Sequence, residues 1–478
     1  MTGSVTVQKG AGSVRAALEI YRDWRMARIA LLGLISGFPW VLIGSALSLW
    51  LKEDGLSRTT IGWAGLILGV YAINFLWAPL IDRLQIPYLS RKLGHRRGWI
   101  VSLQLIILLC LVAWSFSDPL VSLKGVILIG LVIAIASATQ DITIDALRIE
   151  QVGRDEGNAM AAGAAMAVIG WWTGYKLGGV AALSLAEFLQ NLGVADYWQS
   201  TFLILGTVVV LCNIGLMFVP EASSQARQAA QAEDEASIRS HLRVSGWRAT
   251  ALAWLGTTLV SPLMSFFRKN GLAIAVAILG FIFLFKIGEA FLGRMSIVFY
   301  KEIGFSKADI ALYSKALGWI TTVVFTLLGG LFAVRAGLVR AMFLAGILMA
   351  ATNLLFSLLA WSGKSEWLFA FAVVMDDLTG AFATVTFVAF ISMLVDRTYT
   401  ATQYALLASI GTAGRTLFAS GSGAMVDWLD GDWGIFFVIT AAMVLPSLIC
   451  LWVIRRRLAG LLAGAELRLF NKQGDSGS

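Results

Sequence analysis

The chain has 478 residues, of which 58% are hydrophobic and only 14% charged, with a mean hydropathy of +0.78; soluble domains carry about 25% charged residues, so a water-soluble globule is excluded. The net charge of +8 could point to nucleic acid, but no soluble segment interleaves basic and aromatic residues, and an excess of Lys and Arg on one side of a membrane accounts for it. Cys110, Cys212 and Cys450 are far apart, each in an apolar run, which leaves no disulfide framework or CxxC metal site.

Apolar runs long enough to cross a ~30 Å hydrocarbon core are predicted at 29–51, 60–82, 99–117, 124–146, 159–186, 198–219, 271–299, 307–333, 339–361, 366–394, 402–426 and 433–454, about twelve in all. The first is too long for the apolar core of a signal peptide and lacks an Ala-x-Ala-like cleavage site, so it is expected to stay as an uncleaved helix. Basic residues gather before it (Arg15, Arg22, Arg25, Arg28), after the second run (Arg83, Arg91, Lys92, Arg96, Arg97), between the sixth and seventh, after the eighth (Arg335, Arg340) and at the end (Arg455, Arg456, Arg457). The alternate connectors are poor in Lys and Arg, and the last is acidic, with Asp427, Asp430 and Asp432. Both termini are therefore expected in the cytoplasm; separately, the chain is expected to lie in an inner membrane and to work as a monomer.

Residues 220–248 are polar and mixed in charge, which suits a flexible linker or surface helix. The following 249–267 is apolar but contains Pro262 and is flanked by Arg248, Arg268 and Lys269, so an interfacial helix is preferred over a thirteenth span. The expected units are 1–219, a 220–270 cytoplasmic linker, 271–460, and a 461–478 tail. Leu51-Lys52-Glu53-Asp54-Gly55-Leu56-Ser57 followed by Ile61 recurs as Tyr300-Lys301-Glu302-Ile303-Gly304-Phe305-Ser306 followed by Ile310, each copy between the first and second spans of its half. Same-direction repeats of six spans define an all-α integral membrane protein of two pseudo-symmetric six-helix bundles, the major facilitator architecture, in which substrate binds near the midplane between halves.

Ionisable residues inside spans cost at least about 2.5–3.5 kcal/mol at the helix centre, so each is a functional candidate. Asp141, Asp145 and Arg148 fall at i, i+4 and i+7 of the fourth span and share a helix face. Asp141 is a candidate for proton coupling or substrate contact, because a desolvated carboxyl can load and unload a proton; Asp145 is either a second such acid or the structural partner of Arg148. In the seventh span Lys286 and Glu289 can neutralise each other at i, i+3 or serve a substrate and a proton. Lys315, Asp376, Asp377, Lys176 and Arg415 pose the same choice, and basic groups facing one cavity would favour a substrate with carboxylates or phosphates. Trp171-Trp172, next to Thr173-Gly174 and Lys176, could stack on a sugar ring. A membrane-embedded enzyme is not expected: His95 and His241 fall in predicted loops, and no HExxH, GxSxG or Cys/His cluster occurs. Nor is a resident metal or cofactor expected.

Ser36-Gly37-x-Pro39, Phe75-Leu76-Trp77-Ala78-Pro79-Leu80-x-Asp82-Arg83, Arg96-Arg97-Gly98-Trp99, Ser137-Ala138-x-Gln140-Asp141-x3-Asp145-Ala146 and Ala401-Thr402-Gln403-Tyr404-Ala405-Leu406-Leu407 resemble the AmpG muropeptide permeases of Gram-negative bacteria over essentially the whole chain. The resemblance implies proton-driven import of N-acetylglucosaminyl-1,6-anhydro-N-acetylmuramyl peptides for wall recycling and β-lactamase induction, with Gln140 and Asp141 at the critical site and Lys286, Gly288, Glu289 and Lys315 in the facing half. Asp82, Arg83 and Arg148 are expected at a cytoplasmic gate. Two positions depart from the family pattern, where Asn74 and Trp172 stand in place of basic residues, which leaves another amphiphilic anion as the alternative substrate.

Overall fold

The computed structural model describes residues 14–56, 64–153, 156–221, 225–241, 250, 253–305, 317–419, 421–455 and 458. Among these residues the chain is helical between short turns, and no strand occurs. The first half runs through α1 (Trp24–Glu53), α2 (Gly65–Leu76), α3 (Ala78–Arg83), α4 (His95–Ser115), α5 (Pro119–Glu150), α6 (Gly157–Asn191) and α7 (Tyr197–Leu216). Two connecting helices follow, α8 (Gln225–His241) and α9 (Ser261–Asn270). The second half comprises α10 (Leu272–Leu284), α11 (Ile287–Glu302), α12 (Leu317–Ala336), α13 (Leu338–Ser362), α14 (Glu366–Leu394), α15 (Thr400–Ala419), α16 (Ser422–Trp428) and α17 (Trp433–Arg455).

Eight helical stretches are long and apolar enough to cross a membrane, and Gly65–Leu76 and Ile320–Ala336 are shorter apolar helices. The remaining two of the expected spans are α6 and α15, whose Gly-, Ala- and Thr-rich sequences pack closely on other helices. Large apolar side chains stand exposed on the outer faces, among them Leu109 on α4, Leu128 on α5 and Leu211 on α7, as a lipid-facing surface requires. Trp24, Trp361, Trp367 and Trp428 are exposed near helix ends, where indoles favour the membrane interface.

Several spans are interrupted where the sequence analysis expected one continuous helix. Pro39 lies inside α1 and is followed by a wider π-helical turn over Val41–Ala46, because proline removes one backbone donor and crowds the preceding turn. The second span is a chain of short turns, with tight 3-10 turns at Gly65–Gly69 and Asn74–Leu76 before Pro79 starts α3. The seventh span breaks between Leu284 and Ile287, which sets Lys286 at a bend.

Each half is held by one seam of close-packed glycines. A Cβ at Gly33, Gly37, Gly170 or Gly174 would run into the carbonyls of Ala167, Trp171, Ala30 and Leu34, so α1 and α6 lie backbone against backbone. In the second half a Cβ at Gly414 of α15 would meet the Phe283 carbonyl of α10. The first and fifth spans of one half thus pair as the first and fifth of the other do, which is the parallel repeat seen in three dimensions. Between halves, α6 packs on α12 and α14, and α15 packs on α5 and α3.

Candidate functional site

Between the halves lies a cavity of about 710 Å³. Trp40 of α1, Tyr71 and Asn74 of α2, and Asp141, Ile142 and Asp145 of α5 form one wall; Glu289 and Gly293 of α11, Asp376 of α14, and Tyr404, Ser409, Thr412 and Arg415 of α15 form much of the other. Asp141 accepts a hydrogen bond from Ser36 Oγ at 2.6 Å, and no cation pairs with it among the described residues. Tyr71 donates to Ser137 Oγ at 2.7 Å, and its ring lies 4.4 Å from that of Trp40. Trp40 in turn contacts Trp171, which stacks on Tyr175, so the cavity wall is backed by a continuous aromatic cluster. On the facing wall Lys286, buried at the bend, bonds Glu289 at 3.0 Å and donates to Thr384 Oγ1 at 2.7 Å.

The cavity is sealed at the end of the molecule that carries α8 and α9. Along α15, Ala401, Thr402 and Tyr404 are buried while Thr412 and Arg415, up to roughly 20 Å farther along the axis, are exposed. The cavity is therefore open away from the linker side. The seal is built from charge. Asp82, at the end of α3, accepts from the backbone N–H groups of Ala401 and Thr402 at 3.2 and 2.8 Å and from Thr402 Oγ1 at 2.6 Å, so a first-half carboxylate caps a second-half helix. Arg96 bonds Asp82 and Glu150, each at 2.7 Å, and Arg227 of α8 bonds Glu150 at 2.6 Å. Arg148 pairs with Asp145 at 3.0 Å, reaches across to Ser392 Oγ at 3.0 Å and lies over the Tyr404 ring.

The connecting helices are part of this closure. Gln231 donates to the Thr398 carbonyl at 2.9 Å, Tyr399 donates to Asp234 at 2.5 Å, and Arg83 pairs with Glu235 at 2.7 Å while touching Thr257 and Thr258. Gln403 donates to the Pro262 carbonyl and to Ser265 Oγ, both at 2.8 Å. Glu221, just before α8, accepts from the Arg96 and Arg97 backbone N–H groups at 2.7 and 3.0 Å and so caps α4; burial pushes its carboxyl up from its ordinary value against those bonds.

The major facilitator superfamily model matches residues 29–363. The chain is 30% identical over 433 residues to the putative transporter AmpG 4 of Rickettsia conorii, with 91% of this chain and 97% of that protein covered. It is 31% identical over 442 residues to the anhydromuropeptide permease of Escherichia coli K12, covering 92% of this chain and 82% of that one. The chain belongs to the AmpG-type permeases of the major facilitator superfamily. Among solved structures, the proton:xylose symporter XylE shares the fold with a TM-score of 0.62 at 15% identity, over 90% of this chain and 95% of that one. The human organic anion transporter MFSD10 does so with a TM-score of 0.56 at 15% identity, over 92% and 100%. The chain is a multi-pass membrane transporter and not an enzyme.

The structure brings Asp141, Asp145, Glu289, Asp376 and Arg415 to this AmpG-type cavity. It turns Gln140 away: that side chain is fully buried against α1 and donates to the Ile35 carbonyl at 3.0 Å, because a neighbour of Asp141 on the helix points about 100° round the axis. Trp171 and Trp172 stand behind Trp40 and do not line the cavity, and Lys176 lies 4.9 Å over the Trp172 ring. Asp377 accepts from Thr321 Oγ1 at 2.9 Å on another face of α14. Lys315 lies outside the described residues.

Of the basic groups considered from the sequence, Arg415 lines the cavity and Lys315 lies outside the described residues. Among its described lining residues are four carboxyl groups and one guanidinium. Asn74, one of the two departures from the family pattern, does face the cavity and accepts a 3.4 Å hydrogen bond from Ser409. Sequence reasoning did not single out Trp40, Tyr71 and Tyr404 as lining residues, although Tyr404 lies within a quoted motif. It also placed His95 in a loop, whereas His95 opens α4 and its Nε2 lies 2.7 Å from the Ile81 carbonyl.

Proposed function

We propose that this permease imports anhydro-muropeptides from periplasm to cytoplasm, driven by protons, with the linker side in the cytoplasm. The observation that carries the reading is the cavity between halves, closed on the side of α8 and α9 and open on the other, with Asp141 on its wall paired to no cation among the described residues. The substrate follows from likeness to the anhydromuropeptide permease over most of both chains. The aromatic wall of Trp40 and Tyr71 suits sugar faces, and the hydroxyl and amide groups of Ser409, Thr412 and Asn74 suit their hydroxyls. A simple anion is disfavoured, since carboxyl groups outnumber basic ones among the described lining residues.

In this reading Asp141 carries the proton. Protonation removes a charge that no cation among the described residues balances, and leaves a group able to stay bonded to Ser36 as the halves rock. Release of the Asp82 cap and of the Arg148 contacts opens the cytoplasmic side.

The test is accumulation of radiolabelled anhydro-disaccharide tripeptide in right-side-out vesicles under an imposed proton gradient. Accumulation that collapses with a protonophore is expected. In Asp141→Asn, uphill accumulation should vanish while exchange of labelled for unlabelled substrate persists. Uptake no greater than in vesicles lacking the protein would overturn the substrate, and full accumulation by Asp141→Asn would remove that residue from coupling.

A further inference from the structure

The charges of the cavity divide into paired and unpaired sets. Asp145 is balanced by Arg148 and Glu289 by Lys286. Two groups on the second-half wall have no such partner: among the described residues, neither the Asp376 carboxylate of α14 nor the Arg415 guanidinium of α15 makes a hydrogen bond or ion pair, yet both line the same cavity. Both lie within electrostatic reach of Lys286, which is bonded to Thr384 on the same helix as Asp376. An unpaired carboxylate in a membrane-embedded wall is costly, and among the described residues Asp376 and Arg415 do not relieve it by bridging each other. The half-buried Asp376 and the exposed Arg415 instead present one acceptor and one five-donor fork to the cavity.

We propose that Asp376 and Arg415 form a subsite for a zwitterionic head, an ammonium beside a carboxylate as at the end of an amino acid or peptide branch. Asp376 takes the ammonium and Arg415 the carboxylate, the second through the paired N–H geometry that guanidinium offers a planar anion. The aromatic wall of Trp40 and Tyr71 faces this subsite from the other half, so a ligand with a sugar at one end and a zwitterion at the other spans the interface that must rock. This deepens the muropeptide reading and rests on it for the choice of probe, not for the chemistry of the subsite.

The experiment measures binding to the purified full-length protein in lipid nanodiscs. The probes are the anhydro-disaccharide tripeptide ending in diaminopimelate, the same molecule N-acetylated at the terminal amine, the same molecule amidated at the adjoining carboxylate, the anhydro-disaccharide without peptide, and free diaminopimelate. Blocking either group should weaken binding about tenfold or more, as expected for loss of one charge-assisted contact. Asp376→Asn should abolish discrimination against the N-acetylated probe, Arg415→Gln that against the amidated probe, and both should bind the peptide-free disaccharide as the parent protein does, which shows that they fold. Equal affinity of the parent for blocked and unblocked probes would overturn the subsite while leaving the muropeptide reading in place. Binding of free diaminopimelate, but of none of the four saccharide probes, would overturn that reading and keep the subsite. No binding by any probe overturns both.

Discussion

At the linker-side gate Asp82, Arg96, Glu150 and Arg227 form an unbroken chain of ion pairs, all buried. Roughly 14 Å back along α5, the cavity holds Asp141 and, across from it, Asp376 and Arg415, none of them in an ion pair among the described residues. The same residue types do different work in the two places. Where charges satisfy one another they fasten the closed gate; where they do not, we propose that they take up a proton or a ligand. Counting charged residues in spans cannot separate the two sets, because only the packing of α3 and α15 across the interface decides which carboxylate meets which donor.

Removing the centre of the gate should erase the difference most completely. Arg96→Gln leaves Asp82 and Glu150 buried without their shared cation, and the loss of stability should be about 3–5 kcal/mol. Thermal unfolding in detergent, scored beside Asp376→Asn, checks it: the gate variant should fall far below the cavity variant, and equal losses would mean that both sets are structural. Asp82→Asn is the next largest. It keeps one acceptor for the α15 cap but loses the pairing with Arg96, so the closed gate should populate less, read as faster labelling of a cysteine placed at Tyr404 by a reagent added from the linker side. Smaller again is Gln231→Ala, which removes one hydrogen bond between α8 and the Thr398 carbonyl, worth about 1 kcal/mol; the same labelling assay should rise only severalfold.

The smallest effect lies outside both regions. Asp23 caps α1, and the Arg25 backbone N–H, then its guanidinium, hold the Asp23 carboxyl below its ordinary value. A depressed carboxylate contributes stability above its unfolded value, near pH 4, and loses it as pH falls further. Asp23→Ala should therefore cost about 1 kcal/mol at neutral pH and nothing once the parent carboxyl is protonated, which thermal unfolding as a function of pH would show.

Much of the fold was legible because hydropathy and the Lys52-Glu53 and Lys301-Glu302 repeat report spans and duplication directly. The motifs were legible as words but not as neighbours: Asp82-Arg83 and Ala401-Thr402 lie more than three hundred residues apart, and only the structure makes one the cap of the other. Which charged groups reach the cavity was not legible for a related reason. Lys286 and Glu289 were recognisable as a pair from their spacing, but Lys176 turns onto Trp172, and a helix wheel does not say which face a neighbouring bundle will leave open. Arg227 and Gln231 were hidden in a polar stretch whose composition suits solvent, yet both are buried in the gate.

The glycine seam between α1 and α6 also says where the molecule can be tied without stopping it. Backbones in mutual contact at Gly33, Gly37, Gly170 and Gly174 leave no room for sliding, so a chemical crosslink across that seam should be silent in a turnover assay. A crosslink of the same length between α3 and the first turn of α15, where Asp82 meets Thr402, spans the surface that has to part. It should arrest the carrier after half a cycle, with its cargo site facing one compartment for good.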